Sequence, residues 1–232
     1  MKRIHKYHSP FKVSSQLFRG ATLTRALFNE TIKSYFLYGN VLDLGSKSQN
    51  SSYYEYIKID DNCKITYTDL KPGSGVTVVD VQEKLPFDDN SFDMVLAFHL
   101  FEHVYNYSTS VAEIFRILKP GGKFIISMPF MYKYHADPDD YYRFTDSAIV
   151  KIWEEGGLKC SAVEYLGEGI YTYCMTTMTR FGSPKYLSRM LQGLMYLSAT
   201  MFDRVINLKQ KKKNKKTLAQ QYALEYIVSF TK

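Results

Sequence analysis

Cysteine, tryptophan and long apolar runs are what this chain has least of. Its 232 residues include 3 Cys, 1 Trp and 7 Pro. Cys63, Cys160 and Cys174 are odd in number, widely spaced and form no CxxC pair. That spacing argues against a disulfide framework or a zinc site and predicts a reducing, cytoplasmic setting. No stretch approaches the ~18 consecutive apolar residues that span a bilayer. Met1 to Pro10 is basic and polar without an apolar centre, so no secretory signal is expected there. Internal repeats and linkers rich in Pro, Gly or Ser are also missing. A chain of this length suits one α/β domain with a well-buried sheet and leaves little room for two.

Tyrosine and phenylalanine are plentiful, at 20 and 15 residues. Tyr-rich surfaces suit stacking and hydroxyl recognition, while many of these rings are expected to fill the core. The formal net charge is +7, and six lysines crowd into Lys209–Lys216. Without that run the balance is +1. A nucleic-acid enzyme would spread its basic residues over a broad face. No nucleic-acid partner is therefore expected.

Along the chain, Phe28, Ile32 and Phe36 recur at helical spacing, with Leu23 and Leu27 beside them, and predict a leading helix from Thr22 to Tyr38. Strands are then predicted at Val41–Leu44, Lys64–Thr68, Val76–Val79, Phe92–Phe98 and Lys123–Met128. Helices are predicted at Ser110–Leu118 and Ser147–Glu155, and Lys119-Pro120-Gly121-Gly122 predicts a turn. Leu158–Tyr165 and Tyr226–Phe230 complete the strand set. This alternation predicts an α/β fold: a Rossmann-like, mainly parallel sheet of about seven strands, helices on both faces, the last strand antiparallel. Residues 1–38 form an N-terminal segment and leading helix, and 39–232 one domain, with 183–217 a helical, Lys-rich insertion before the last strand. Within that insertion Leu187, Met190, Leu191, Leu194, Met201, Val205 and Leu208 form one apolar stripe. The expectation is a helix packed on the sheet. An interfacial helix, its lysines drawn to anionic lipid at the inner face of a membrane, is the alternative.

In an open parallel sheet, ligands bind beyond the carboxyl ends of the strands. The first strand ends in Asp43-Leu44-Gly45-Ser46, the second in Asp69 and the third in Asp80. A carboxylate after the second strand can accept both hydrogen bonds of a ribose diol. One strand over, another can receive an adenine amine. A single strand-end Asp is more often a turn or a cap; three in one ordered pattern point to a nucleoside.

The segments VLDLGS, YTDL, VDVQEKLPFDDNSFDMVLAFHLFEHV and EIFRILKPGGKFIISMP resemble the class I S-adenosylmethionine (SAM)-dependent methyltransferases, in register from Val41 to Pro129. The resemblance implies SAM as cofactor. Asp43, Gly45 and Ser46 would lie at its methionine end and Asp69 and Leu70 at its ribose. Asp80 and Val81 would lie at its adenine, with Phe98 at the next strand end. The family usually carries further glycines near Lys47 and Gln49, which this loop lacks. SAM has no pyrophosphate to approach, so the demand for glycine is softer than in a dinucleotide site. Lys47 or a serine hydroxyl of that loop is a candidate for the SAM carboxylate. The same departure weighs against a nicotinamide dehydrogenase.

Methyl transfer to a hydroxyl calls for a base after the fourth or fifth strand. His99 follows the fourth strand, and His103 stands where capping or packing is the plainer role. After the fifth strand comes a stretch dense in His, carboxylate, Tyr and Arg, from Pro129 to Thr145. From His135 to Thr145 it is similar to a stretch of methyltransferases associated with bacterial surface polysaccharide synthesis. That similarity implies a sugar or glycan acceptor. The expected base is His135, oriented by Asp139 or Asp140; Tyr141, Tyr142 and Arg143 are the expected acceptor contacts. Organising the loop and capping the next helix is the competing role for Asp140, Tyr141 and Arg143. A hard cation on His135, Asp137, Asp139 and Asp140 is disfavoured, because the Gly and distal Glu of a calcium loop are missing. No metal is expected. The competing functions are methylation of a small aromatic or quinone-like acceptor and a non-catalytic, methyltransferase-like binding protein.

Overall fold

Phe92–Phe98 is almost uniformly apolar, the pattern of a strand covered on both faces. In the computed structural model of the protein it lies inside an eight-stranded sheet. The structure describes residues 1–46, 51–178, 185–213 and 215–232. Strand β1 (Lys2–His5) and helices α1 (Pro10–Phe18) and α2 (Leu23–Ile32) precede β2 (Phe36–Leu37) and β3 (Asn40–Leu44). Then come β4 (Lys58–Ile59), β5 (Lys64–Asp69), β6 (Val76–Val78), β7 (Phe92–Phe98), α3 (Ser108–Ile117) and β8 (Leu118–Pro129). The chain continues with α4 (Asp146–Glu155), β9 (Lys159–Leu166), α5 (Ile170–Met178), α6 (Lys185–Lys212), α7 (Leu218–Gln221) and β10 (Glu225–Thr231).

The main sheet runs β1-β9-β10-β8-β7-β3-β5-β6, and β2 pairs with β4 apart from it. From β8 to β6 every pairing is parallel. Lys232, just past β10, exchanges backbone bonds of 3.0 Å with Gly121 and Gly122 near the start of β8, so β10 runs antiparallel there. The α/β reading holds: a mainly parallel sheet flanked by helices with antiparallel strands at the edge. Two details differ from it. The leading helix stops at Ile32, and Phe36 enters the short strand β2. Lys119–Gly122 lies inside β8, where Gly121 takes up φ +79° beside a register shift against β7.

The described chain divides into two compact units. The first, residues 1–3, 34–164 and 226–232, holds most of the sheet. Its core is of the ordinary kind: Val41, Leu42, Val95, Leu96, Phe124 and Ile126 are fully buried, with Trp153 against Phe101 and Phe124.

The second unit, residues 4–33 and 165–225, is mostly helical, and its longest helix is inverted. On α6, Ser188, Gln192, Thr200, Asp203 and Asn207 are buried, whereas Leu187, Met190, Leu194, Met201, Val205 and Leu208 are 43% to 71% exposed. The stripe expected to be the packed face is the exposed one. The polar face turns inward because it has partners there. Asp203 accepts the backbone N–H groups of Tyr171 and Thr172 and the Thr172 hydroxyl, capping the start of α5. Asn207 donates to Glu168 O and accepts from Ala219 N, and Arg204 forms a two-pronged pair with Glu168. Buried polar groups with partners satisfied in this way cost little.

Candidate functional site

Strand order fixes where a ligand can enter the first unit. β3 has β5 and β6 on one side and β7 and β8 on the other, so connections reverse direction beside it. In such sheets the crevice opens at the carboxyl ends of the strands flanking this reversal. Asp43 and Asp69 end β3 and β5, Asp80 follows β6, and Phe98 ends β7. Asp69 stands opposite Val78 in the register, two residues before Asp80.

Each of the two carboxylates expected at a nucleoside is half engaged. Asp69 Oδ1 accepts from Lys71 N at 3.0 Å and Asp80 Oδ1 from Gln82 N at 2.9 Å, local turns that fix the side chains. Their second oxygens have no partner among the described residues. Leu70 is 54% exposed beside Asp69, an open aliphatic surface, whereas Val81 and Phe98 are buried. Gly45 has φ +73°, and a Cβ there would sit 3.1 Å from Leu100, so the turn leaving β3 needs glycine.

Asp43 is fully buried, and both Tyr53 and Tyr54 donate their hydroxyls to its Oδ2. Its Oδ1 is buried and finds no partner among the described residues. Burial pushes the carboxyl up to about 7, against the pull of the two tyrosine hydroxyls. Tyr53 also sets its ring edge against Phe98, and Ser51 donates to Ser46 O. The tyrosine pair was not singled out from sequence, although its place in the run Ser51-Ser52-Tyr53-Tyr54, shortly after the first strand, was a signal. Lys47 and Gln49 lie outside the described residues.

These features fit SAM. Free oxygens on Asp69 and Asp80 suit a ribose diol and an adenine amine, and the exposed Leu70 offers apolar surface beside them. The orphaned Asp43 Oδ1 is an acceptor suited to a cationic N–H such as the SAM ammonium.

The segment between β8 and α4 reaches the same edge of the sheet. Tyr141 N and Tyr142 N both donate to Glu102 O, in the single turn that follows β7. On the other side Lys71, two residues past Asp69, pairs with Asp137 at 3.7 Å. His99 follows β7 at φ +52°, its backbone N–H shared between Ser127 O and Ser127 Oγ. His103 Nδ1 lies 2.5 Å from Asp139 O, and its ring meets the His135 ring at 5.1 Å.

His135 is gripped from several directions. Its backbone N–H donates to Asp140 Oδ2 at 2.7 Å, and its Nδ1 lies 3.3 Å from the same oxygen. Burial, helped by His103 and Arg143, lowers the imidazole below its ordinary value despite the opposing pull of Asp140. It is therefore neutral at neutral pH and able to take a proton. Asp140 is held at about 2, chiefly by hydrogen bonds from Arg143. Arg143 is spent on the loop itself. It forks onto both Asp140 oxygens and reaches the carbonyls of Tyr132, Lys133 and Tyr142. Loop organisation, the competing role read from sequence, is what its contacts show. Thr145 caps α4 through Ala148 N, so the capping falls to Thr145 and not to the Asp140–Arg143 group.

The tyrosines divide. Tyr142 is half-buried among Tyr105, Tyr107 and Phe144, with its hydroxyl on Tyr105 O. Tyr141 is 45% exposed, its hydroxyl on Asp139, and Tyr105 beside it is 65% exposed. Tyr105 and Glu102 were missed from sequence because their place at this site depends on the return of a distant loop. Glu102, His103 and His135 bring one metal-ligand type atom each within 4.8 Å of one another, a set different from the acidic one weighed in the sequence.

Comparison with known proteins bears on the cofactor half. Residues 42–126 match a family described as "Methyltransferase domain". The chain is similar to the sterol 4-C-methyltransferase strm-1 of Caenorhabditis elegans, 29% identical over 107 residues, 46% of this chain and 27% of that protein. It is also similar to the demethylmenaquinone methyltransferase of Clavibacter sepedonicus, 34% identical over 92 residues, 38% of this chain and 36% of that one. The chain thus spans about a third or less of these relatives. Among solved structures, the [4+2]-cyclase SpnF superposes with a TM-score of 0.55 at 16% identity, over 92% of this chain and 83% of SpnF. That is a likeness of fold alone. Residues 42–126 therefore match a methyltransferase domain, and the match supports SAM as the cofactor.

Proposed function

We propose that the protein is an O-methyltransferase that transfers the SAM methyl group to a sugar or glycan hydroxyl, in the assembly of a polysaccharide or lipopolysaccharide. One observation carries the reading. A neutral, clamped His135 and the exposed ring of Tyr141 sit on a loop held to the turn after β7 through Glu102 and to Lys71, two residues past Asp69.

When bound, SAM supplies an electrophilic methyl group, and the cofactor thereby carries the difficult chemistry. Asp69 and Asp80 hold the nucleoside and Asp43 receives the cationic methionine end. The acceptor lies against Tyr141 and Tyr105, with Tyr142 supporting them from behind. As the acceptor oxygen gains the methyl group, its proton passes to the His135 imidazole. Asp140 is a positioning residue that fixes His135, and Arg143 fixes Asp140. His99 lines the mouth at the end of β7.

Methylation of a small aromatic or quinone-like acceptor is the second reading, favoured by the name of the Clavibacter sepedonicus relative. Labelled methyl transfer from SAM to a panel of sugar, glycan and quinol acceptors separates the two. Product on a quinol alone overturns the sugar assignment. Calorimetry with SAM tests the non-catalytic alternative, for which binding without turnover on any acceptor would argue. Replacing His135 by Ala is expected to lower turnover by about 10²- to 10⁴-fold with SAM affinity unchanged; intact turnover removes the base role.

A further inference from the structure

We propose that the outward apolar face of α6 and the lysines that follow it dock the protein on the surface of an anionic lipid bilayer. The proposal concerns the second unit alone and does not rest on the acceptor assigned above.

Six apolar side chains, Leu187, Met190, Leu194, Met201, Val205 and Leu208, follow one another along α6 at spacings of three, four or seven residues and are 43% to 71% exposed. Phe202, beside them, is 65% exposed. A patch of this length is unusual on a soluble surface without an interaction partner. At 28 residues and about 1.5 Å per residue the helix is long, yet no helix among the described residues is apolar enough to cross a membrane. It suits lying in the interface plane, with one face in the acyl boundary.

Charge selects the occupant. Between Glu168 and Glu225 the only acidic residue is Asp203, and it is fully buried on the start of α5. The outward side of α6 therefore offers no negative charge. Lys209, Lys211, Lys212 and Lys213 close its end exposed, with Lys215 and Lys216 exposed beyond. Lys212 continues the apolar line, four residues after Leu208 and seven after Val205. A second copy seated on this stripe in parallel would set lysine against lysine. Seated antiparallel, it would set the lysines against Arg189. Neither arrangement supplies a carboxylate. An anionic bilayer supplies acyl chains for the stripe and phosphates for the lysines together.

The test is flotation of the full chain with vesicles of phosphatidylcholine alone and of an equimolar phosphatidylcholine–phosphatidylglycerol mixture. Recovery is expected with the anionic vesicles and not the neutral ones, and it should fall as salt rises. Changing all six lysines of Lys209–Lys216 to Gln is expected to lower partitioning at least about 100-fold, since each cation near such a surface contributes about fivefold. The Met201→Asp/Phe202→Asp variant alters only exposed side chains. It should keep its circular dichroism spectrum and lose about tenfold or more of the binding. Equal recovery with both vesicle types, or none with either, overturns the proposal. So does a dimer in solution that the Met201→Asp/Phe202→Asp variant dissociates while vesicles recover nothing.

Discussion

The sheet core of the first unit and the longest helix of the second put their apolar and polar residues in opposite places. In the first, Leu42, Val95 and Ile126 fill the interior, while the strand-end carboxylates Asp69 and Asp80 stand ready to bind. In the second, the longest helix buries Asp203 and Asn207 and leaves Met201 and Phe202 outside. The lesson concerns what burial is for. A polar side chain stays inside when it has a partner fixed by the fold, as Asp203 has in the first turn of α5. An apolar one stays outside when something other than the protein is to cover it.

The sharpest way to break this contrast is a pair of truncations. Leu42→Ala in the first unit should lower the unfolding free energy by about 2–5 kcal/mol, as expected for a fully buried leucine. Met201→Ala in the second should stay within about 0.5 kcal/mol of wild type. Chemical denaturation of both variants measures the difference, and similar losses would mean that the α6 stripe is core after all. Next in size is Asp69→Ala. Removing a charged acceptor of ribose should weaken SAM binding about 10- to 100-fold by calorimetry, while partitioning onto anionic vesicles stays unchanged.

Two smaller effects depend on pH. The acid limb of the turnover profile should lie below the ordinary histidine value, because His135 is lowered. Asp140→Asn removes the charge that opposes this lowering, so the limb should move further down; an upward shift would contradict the assignment. Asp43 gives the opposite kind of signal. Its carboxyl rises from 3.8 to about 7 on folding, so the folded form holds a proton that the unfolded chain has released. Stability from this group is therefore fully present below the unfolded value and is lost as pH climbs through about 7. Asp43→Asn should flatten the pH dependence of the unfolding midpoint across that window.

Much of the first unit was legible in the sequence, and for a physical reason. Buried parallel strands read as apolar runs ending in polar residues, so Phe92–Phe98 is placed residue for residue and Asp69 ends its strand. The edge strand β1 and the pairing of β2 with β4 are short and half exposed, and leave no such pattern. The candidate residues were legible where they stand at or just past strand ends, as at Asp43, Asp69 and Asp80. It was illegible where it depends on a chain returning from afar: Tyr53 and Tyr54 closing over Asp43, Glu102 holding the loop, Arg143 turned inward. Helix α6 shows a further limit. Periodicity reveals that a helix has two faces, but only the partners of Asp203 and Asn207 decide which one turns inward.

One guanidinium, that of Arg143, stitches together three carbonyls and a carboxylate within a dozen residues of chain. Such a segment arrives at its ligand already cast, with little conformational entropy left to lose. Selectivity then behaves like a mould: relatives that take other acceptors are expected to differ at rings such as Tyr105 and Tyr141 and to keep the stitch beneath them.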